Sequence, residues 1–312
     1  MRLHLEQLAA GFRAAGADCR AVGYAADGRA RWRRGDDDAL RRRCSDALAS
    51  AARASRAELL VLARGRLDFE RLRAGTPARL AFWDWDGIAG EGDLPPPAVL
   101  DLLLSASPEA ARRWTGRASR VRHLPHGVDL AFFAPGSLSA AQRRRFAAPV
   151  AFVGRPSPHR VELLAPLLDQ GLALWGRRWR SRRRVPRGLR RAARGRRDVV
   201  GERLRCVYRA SGSVLNILGD PAGDVLSAQV FAAPATGACL VCEAIPGLEE
   251  AFEPGREVAV FRSPGELREQ VARLSRDREA ARAIGANARR RCEAEHAWSE
   301  RARTILAWAR EL

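Results

Sequence analysis

Short unbroken apolar runs alternate along this chain with segments whose apolar residues recur three and four apart, as buried strands joined by helices do. The clearest example is 214–262. Residues 214–218 predict a buried strand, 219–223 a turn, and Asp224 the N-cap of a helix over 225–236 that Gly237 ends. A strand at 238–242, a helical run at 247–252 and a strand at 257–261 follow, with Pro254 and Gly255 marking the last joint. This β-α-β-α-β pattern predicts parallel strands, and open α/β sheets hold ligands in the loops at their strand C-termini. Here those loops are 219–224 and 243–250.

The same reading extends in both directions. Leu3, Leu5, Leu8 and Phe12 share one face of an opening helix that ends at Gly16, and a strand is expected over 19–24. A charged loop at 29–38, a helix at 38–56, a strand at 58–63, a helix at 67–74 and a strand at 79–84 come next. A Gly/Pro-rich loop at 90–97 leads to a strand at 99–105 and a helix from Pro108. Beyond them the pattern predicts strands at 150–153 and 172–175, with helices from about Val161 and over 201–210. Ser263-Pro264-Gly265-Glu266 spells a capping box with Pro at the first helical position. Helices at 277–295 and 299–312 close the chain.

A chain of 312 residues, 46% of them hydrophobic, is long enough for two such α/β domains. No apolar run is long enough to span a bilayer and the amphipathic start is no signal peptide, so a cytoplasmic protein is expected. The six cysteines form no framework and are expected as free thiols. Cys239 and Cys242 make a lone C-x-x-C, but on a strand they point to opposite faces, which argues against zinc.

The net charge of +19 changes the picture less than its size implies. All 55 basic residues are Arg, the bias of a GC-rich coding sequence, and much of the excess is concentrated in 176–197. That run reads either as a solvated or disordered loop, or as a contact for an anionic acceptor or an acidic membrane, where each Arg adds about 1 kcal/mol. A basic module binding nucleic acid or membrane is therefore a rival reading, although no specific nucleic acid is expected.

Three places carry candidate chemistry. Trp83-Asp84-Trp85-Asp86-Gly87 ends a strand with two carboxylates between indoles. Either the indoles stack on sugar rings while Asp84 and Asp86 take hydroxyl protons, or the indoles are core and the acids start a turn. Gly154-Arg155-Pro156-Ser157-Pro158-His159-Arg160 is a small-residue turn opening a helix, where backbone N–H groups with Arg155 or Arg160 can hold phosphate. Arg177 and Arg178 directly follow the strand at 172–175.

Residues 214–306 resemble the C-terminal half of the group 1 GT-B glycosyltransferases, most closely the spore-maturation CgeB-like branch. The resemblance rests on Leu215-Asn216-Ile217, Val230-Phe231, Ala235-Thr236-Gly237, Pro246-Gly247-Leu248 and Phe252-Glu253-Pro254-Gly255-Arg256-Glu257. It continues through Gly265-Glu266-Leu267, Ala288-Arg289-Arg290 and His296-Ala297-Trp298 before Arg301. Upstream, Pro125-His126-Gly127-Val128-Asp129, with Phe132 or Phe133 and Pro135, resembles the segment joining the two domains of such enzymes.

The resemblance implies two Rossmann-like parallel-sheet domains facing a cleft. These are an acceptor-side domain at 1–134, a nucleotide-sugar domain at 135–298, and a helix at 299–312 crossing back to the first. The first strand of the N-terminal domain is missing from the pattern. The implied activity is hexosyltransferase-like transfer from a nucleotide sugar to an unknown glycan, lipid-carrier or protein acceptor, with no metal and no cofactor besides the co-substrate. Asp86, Asp84 and Asp224 are the implied catalytic candidates. Gly154, Arg155, Arg160, Arg177, Asn216, Gln229, Gly247, Glu249 and Glu250 are the donor-binding ones. One departure stands out: Ala232 falls where the family's second paired carboxylate, a ribose ligand, is expected, and Glu249 and Glu250 of the next loop can compensate. The rivals are a degenerate sugar-nucleotide binder and a GT-B epimerase.

Overall fold

The computed structural model describes residues 2–22, 38–63, 67–85, 95–116, 120–181 and 183–312. Most of the expected charged loop at 29–38, Asp86 and most of the loop at 90–97 lie outside them. The chain forms two compact units, Met1–Gly127 with Trp298–Leu312, and Val128–Ala297.

In the first unit, helices α1 (Arg2–Ala14) and α2 (Asp38–Ala54) precede β1 (Leu59–Leu62), α3 (Phe69–Ala74) and β2 (Arg79–Asp84). Then come β3 (Leu102–Ser105), α4 (Pro108–Trp114) and β4 (Val121–His123). Side-chain caps start the short helices: Asp68 accepts from the Arg71 N–H at 3.0 Å, and Ser107 from the Ala110 N–H at 2.8 Å with Pro108 following it. The strands pair in parallel in chain order, β1-β2-β3-β4. One face is covered by Leu48, Leu72 and Trp114 of α2, α3 and α4, packed on Leu80, Phe82 and Leu103.

The strand expected at 19–24 does not form over its described part. Residues 19–22 pair with no strand, and Val22 is 42% exposed. A segment that buries so little has no face to offer a sheet.

The second unit runs through α5 (Ala140–Phe146), β5 (Ala148–Val153), α6 (Pro158–Leu164), β6 (Leu172–Trp175), α7 (Arg187–Ala192), α8 (Glu202–Ala210) and β7 (Ser211–Asn216). It continues through α9 (Ala228–Ala235), β8 (Leu240–Glu243), α10 (Leu248–Ala251), β9 (Ala259–Phe261), α11 (Pro264–Arg276) and α12 (Arg278–Glu295). The sheet is parallel, in the order β6-β5-β7-β8-β9. Its apolar strands are buried on both faces, as crossover helices require. Val150 and Phe152 of β5 face one core while Ala151 and Val153 face the other.

Three expectations are corrected here. Asp224 does not cap α9, which begins after Ser227; the loop before it is three residues longer than the pattern implied. The arginine run is not simply a solvated or disordered loop. Trp179, Val185, Leu189 and Ala193 are buried against β5 and β6, Arg180 donates to the Ala193 carbonyl at 3.1 Å and Arg190 to that of Val185 at 3.2 Å. At α11, Ser263 accepts from the Glu266 N–H as expected, but Glu266 reaches back one residue further, to the Arg262 N–H at 2.7 Å.

Cys239 and Cys242 do enter opposite cores. Burial pushes both thiols up to about 12, so neither is a ready thiolate. All six cysteines are free, and no group of three His, Cys, Asp or Glu able to hold a metal occurs among the described residues. Nor is any described helix long and apolar enough to cross a membrane.

The chain leaves the first unit at Gly127 and returns with α13 (Trp298–Arg310). Strands laid down in chain order, with same-handed crossovers, place α3 and α4 on one face, where α2 joins them, and leave the other bare. That other face is closed by Leu8 and Phe12 of α1 with Trp298, Ala302 and Ile305 of α13, packed on Ala81, Trp83, Leu102 and Leu104. The joining motif serves this closure. A Cβ on Gly127 would sit 2.8 Å from the Trp298 ring, and Arg301 donates to the Pro125 and His126 carbonyls at 3.0 and 3.2 Å.

Candidate functional site

In the second sheet the chain moves from β5 to β6 on one side and then to β7 on the other. The strand order reverses there, and the loops after β5 and β7 diverge. Crevices of this kind are where open α/β sheets take ligands. Arg160, on the first turns of α6, spans this place. Its Nε and Nη2 donate to the Ile217 carbonyl at 3.0 and 2.9 Å, its Nη1 to the Arg155 carbonyl at 3.1 Å, and its guanidinium lies 5.3 Å from the Phe152 ring centroid. Three of its five N–H groups are thus committed to the two loops. Burial pushes the guanidinium down from its ordinary value and Glu243 opposes this.

Gly154 is held from both sides: its N–H donates to the Trp175 carbonyl at 2.9 Å and its carbonyl accepts from Trp179 Nε1 at 2.7 Å. A Cβ on Gly176, whose φ is +137°, would collide with that same carbonyl. This crossing explains why both loops carry glycine where they pass. Beside it, Asp198 gathers two predicted arginines. Arg155 Nη2 and Arg177 Nε each lie 3.1 Å from Oδ2, and the Arg177 N–H donates to Oδ1 at 3.2 Å. Burial raises the Asp198 carboxyl, but the Arg177 N–H and the two guanidinium groups outweigh it and hold it below the usual carboxylate range. Arg178 is exposed with φ of +73°, and no ion-pair partner for it occurs among the described residues.

Two residues that sequence reasoning did not assign complete this end of the sheet. His159 Nε2 lies 2.7 Å from Glu243 Oε1, and Glu243 Oε2 accepts from the Leu218 N–H at 2.8 Å. The pair ties the start of α6 to the ends of β8 and β7. The available signal was a carboxylate closing a strand, at the first position of a loop already marked as ligand-facing.

Residues 157–307, just under half of the chain, match the family model described as Glycosyl transferase-like. No curated protein matches the chain's sequence. Among solved structures, sucrose-phosphate synthase from Thermosynechococcus elongatus superposes with a TM-score of 0.69 at 17% identity, over 99% of this chain and 92% of that one. A glycosyltransferase from Rickettsia africae gives 0.62 at 11% identity, over 90% and 83% of the two chains. Anabaena HepE, solved with UDP-glucose, gives 0.59 at 13%, over 85% and 82%.

The fold is GT-B.

Within the second GT-B unit the remaining predicted donor residues sit at the end of β7, on the first turn of α9 and at the start of α10. Asn216 turns inward, its Nδ2 on Cys242 Sγ at 3.4 Å and its Oδ1 accepting from Ser227 Oγ at 3.3 Å, so it anchors the start of α9. Gln229 is half-buried on the first turn of that helix, and Asp224 half-buried in the loop before it. Ala232 is buried in the core. Gly247, at φ of +81°, opens α10 and with Glu249 and Glu250 lines a cleft of about 510 Å³. Glu249 pairs with Arg262 at 3.2 Å, both exposed, while Glu250 is exposed.

In the first GT-B unit, Asp84 ends β2, buried, with the Ser105 hydroxyl 3.5 Å from its Oδ2. Of the two readings of the indoles, the structure supports the core one. Trp83 and Trp85 lie 5.7 Å apart and pack on Trp298 at 6.0 and 6.1 Å, with Trp83 Nε1 donating to the Leu124 carbonyl at 3.1 Å. Neither ring has a face left for a sugar. His126 Nε2 bonds the Trp85 carbonyl at 2.9 Å, which fixes the path of the chain as it leaves β2.

Proposed function

We propose that the chain is a glycosyltransferase that holds a nucleotide-diphosphate sugar at the reversal point of the second sheet. The observation that carries this is Arg160, half-buried and clamped across the β5 and β7 loops, with Arg155 and Arg177 beside it on a single shared carboxylate. Such a cluster stabilises charge that develops on a departing diphosphate. It can supply that stabilisation without a metal. Asp198 is exposed enough for an incoming phosphate to take over its two arginines, since exposed pairs are worth only about 0–1 kcal/mol. The match to the glycosyl transferase-like model and the UDP-glucose in HepE support the reading.

In the reaction the bond from the anomeric carbon to the diphosphate oxygen breaks and one to the acceptor oxygen forms. The nucleoside diphosphate leaves with the electron pair, and the acceptor proton passes to a carboxylate. Asp86 and Asp84 are the candidates for that carboxylate, Asp224 for a contact with the sugar. Gly154, Asn216, Gln229, Gly247, Glu249 and Glu250 shape the donor loops. The acceptor is a glycan, a lipid carrier or a protein, and exposed arginines of 177–197 offer a contact for an anionic one.

A second reading, a non-catalytic nucleotide-sugar binder, is favoured by Ala232. Losing a charge-assisted ribose contact there costs about 1.5–3 kcal/mol, tenfold or more in donor affinity. A panel of nucleotide sugars tested by thermal shift, then by mass spectrometry for hydrolysis and transfer, separates the readings. Stabilisation with turnover that falls in Asp86→Ala or Asp224→Ala supports the transferase, and stabilisation without turnover supports the binder. No stabilisation by any nucleotide sugar defeats both.

A further inference from the structure

A large concave feature of the second unit lies at the opposite end of its sheet from these loops. A cleft of about 660 Å³ opens at the N-terminal ends of β5 and β7 and beside the turn before β8. Three arginines line it, Arg209 from the end of α8 and Arg278 and Arg282 from the first turns of α12, and no carboxylate is among the described lining residues. None of the three has an ion-pair partner among the described residues.

Glycines seat two of these side chains. A Cβ on Gly136 would lie 3.3 Å from both terminal nitrogens of Arg209, and one on Gly212 would collide with Arg278. A glycine inside a strand weakens it and marks a close approach, here of a guanidinium to β7. The buried Nε of Arg209 and hydroxyl of Tyr208, a lining residue, have no hydrogen-bond partner. Burial and the nearby Arg205 push the Arg209 guanidinium down from its ordinary value, so the group gains from an added anion. Asp277, next to Arg278 in the chain, is committed to capping α12 through the Ala280 N–H at 2.8 Å.

We propose that this cleft is a second binding site, for a small phosphate-bearing ligand. Planar guanidinium forks match phosphate oxygens two at a time, and Pro135, Ala148 and Pro149 supply an apolar wall for the rest of the molecule. The volume falls within the range of small-ligand sites, roughly 300–1,000 Å³. The proposal is independent of the donor site, because none of its residues lies in the loops after β5, β7 or β8.

The test is calorimetric titration of the full chain with inorganic phosphate at constant ionic strength. Saturable binding is expected in the wild type, with Kd raised at least tenfold in Arg278→Ser/Arg282→Ser. Both residues are exposed, and an unchanged ligand-free melting temperature checks that the double variant folds. Arg282→Glu gives a second, single-site reading, with the same direction expected. Absence of saturable phosphate binding in the wild type overturns the proposal, as does undiminished binding in a folded double variant or in Arg282→Glu.

Discussion

In the first unit the strands lie side by side in the order in which the chain makes them, whereas in the second β5 has β6 on one flank and β7 on the other. The first arrangement leaves one face of a sheet uncovered, and the molecule answers with helices drawn from both ends of the unit's sequence. The second arrangement covers both faces locally and instead creates a gap between diverging loops, which Arg160 bridges. Strand order thus decides where each unit needs help: the first needs a lid for its core, the second a clamp for its loops.

The hardest test of this contrast is Trp298→Ala. If α13 is the missing layer of the first core, removing this indole from between Trp83, Trp85 and Gly127 costs about 3–5 kcal/mol in denaturant unfolding, the range for large aromatic truncations. A loss below 1 kcal/mol would show that the face is closed without it. On the other side of the contrast, Gly176→Ala forces an L-residue into φ of +137° against the Gly154 carbonyl. It is expected to cost about 1–3 kcal/mol, read as a lowered melting temperature, together with a loss of nucleotide-sugar stabilisation.

Arg160→Met sharpens the point, because it keeps the packing on Phe152 while removing the donors to Ile217. Nucleotide-sugar affinity should fall at least tenfold, about 1.4 kcal/mol, by calorimetry. The smallest effect is expected from Asp198→Asn. The carboxyl's folded pKa lies below the unfolded value of about 3.9, so its contribution is complete above that pH and is lost as pH falls through the folded value. The pair is exposed, so the loss at neutral pH should stay below about 1 kcal/mol, and the two stability curves should converge once the pH has fallen below the carboxyl's folded value.

Much of this architecture is legible from apolar runs alone. The strands at 79–84 and 172–175 have the bounds expected of them, because each is a continuous buried run ended by a change of chemistry, at Asp84 and at Gly176. Arg155, Arg160 and Arg177 converge on one loop cluster, since a residue just past a parallel strand has only one end of the sheet to go to. What failed had a tertiary cause. Residues 19–22 have strand-like composition but nothing to pair with, and Asp224 has the right side chain for a cap but lies too early in its loop. The His159–Glu243 bond joins residues 84 positions apart, which no local pattern announces. The arginine run reads as unstructured because its charges hide four core anchors, Trp179, Val185, Leu189 and Ala193.

The return of α13 has a consequence for how the molecule comes off the ribosome. Val128 donates to the His296 carbonyl at 2.9 Å and bridges Ala297, so the entry and exit of the second unit are adjacent and that unit is an insertion into the first. Everything from Val128 to Ala297 can fold while the earlier-made sheet still waits for its covering layer. Synthesis order and completion order are therefore reversed: the half translated first is the half finished last, since Trp83 and Trp85 gain their Trp298 neighbour only when the last residues emerge.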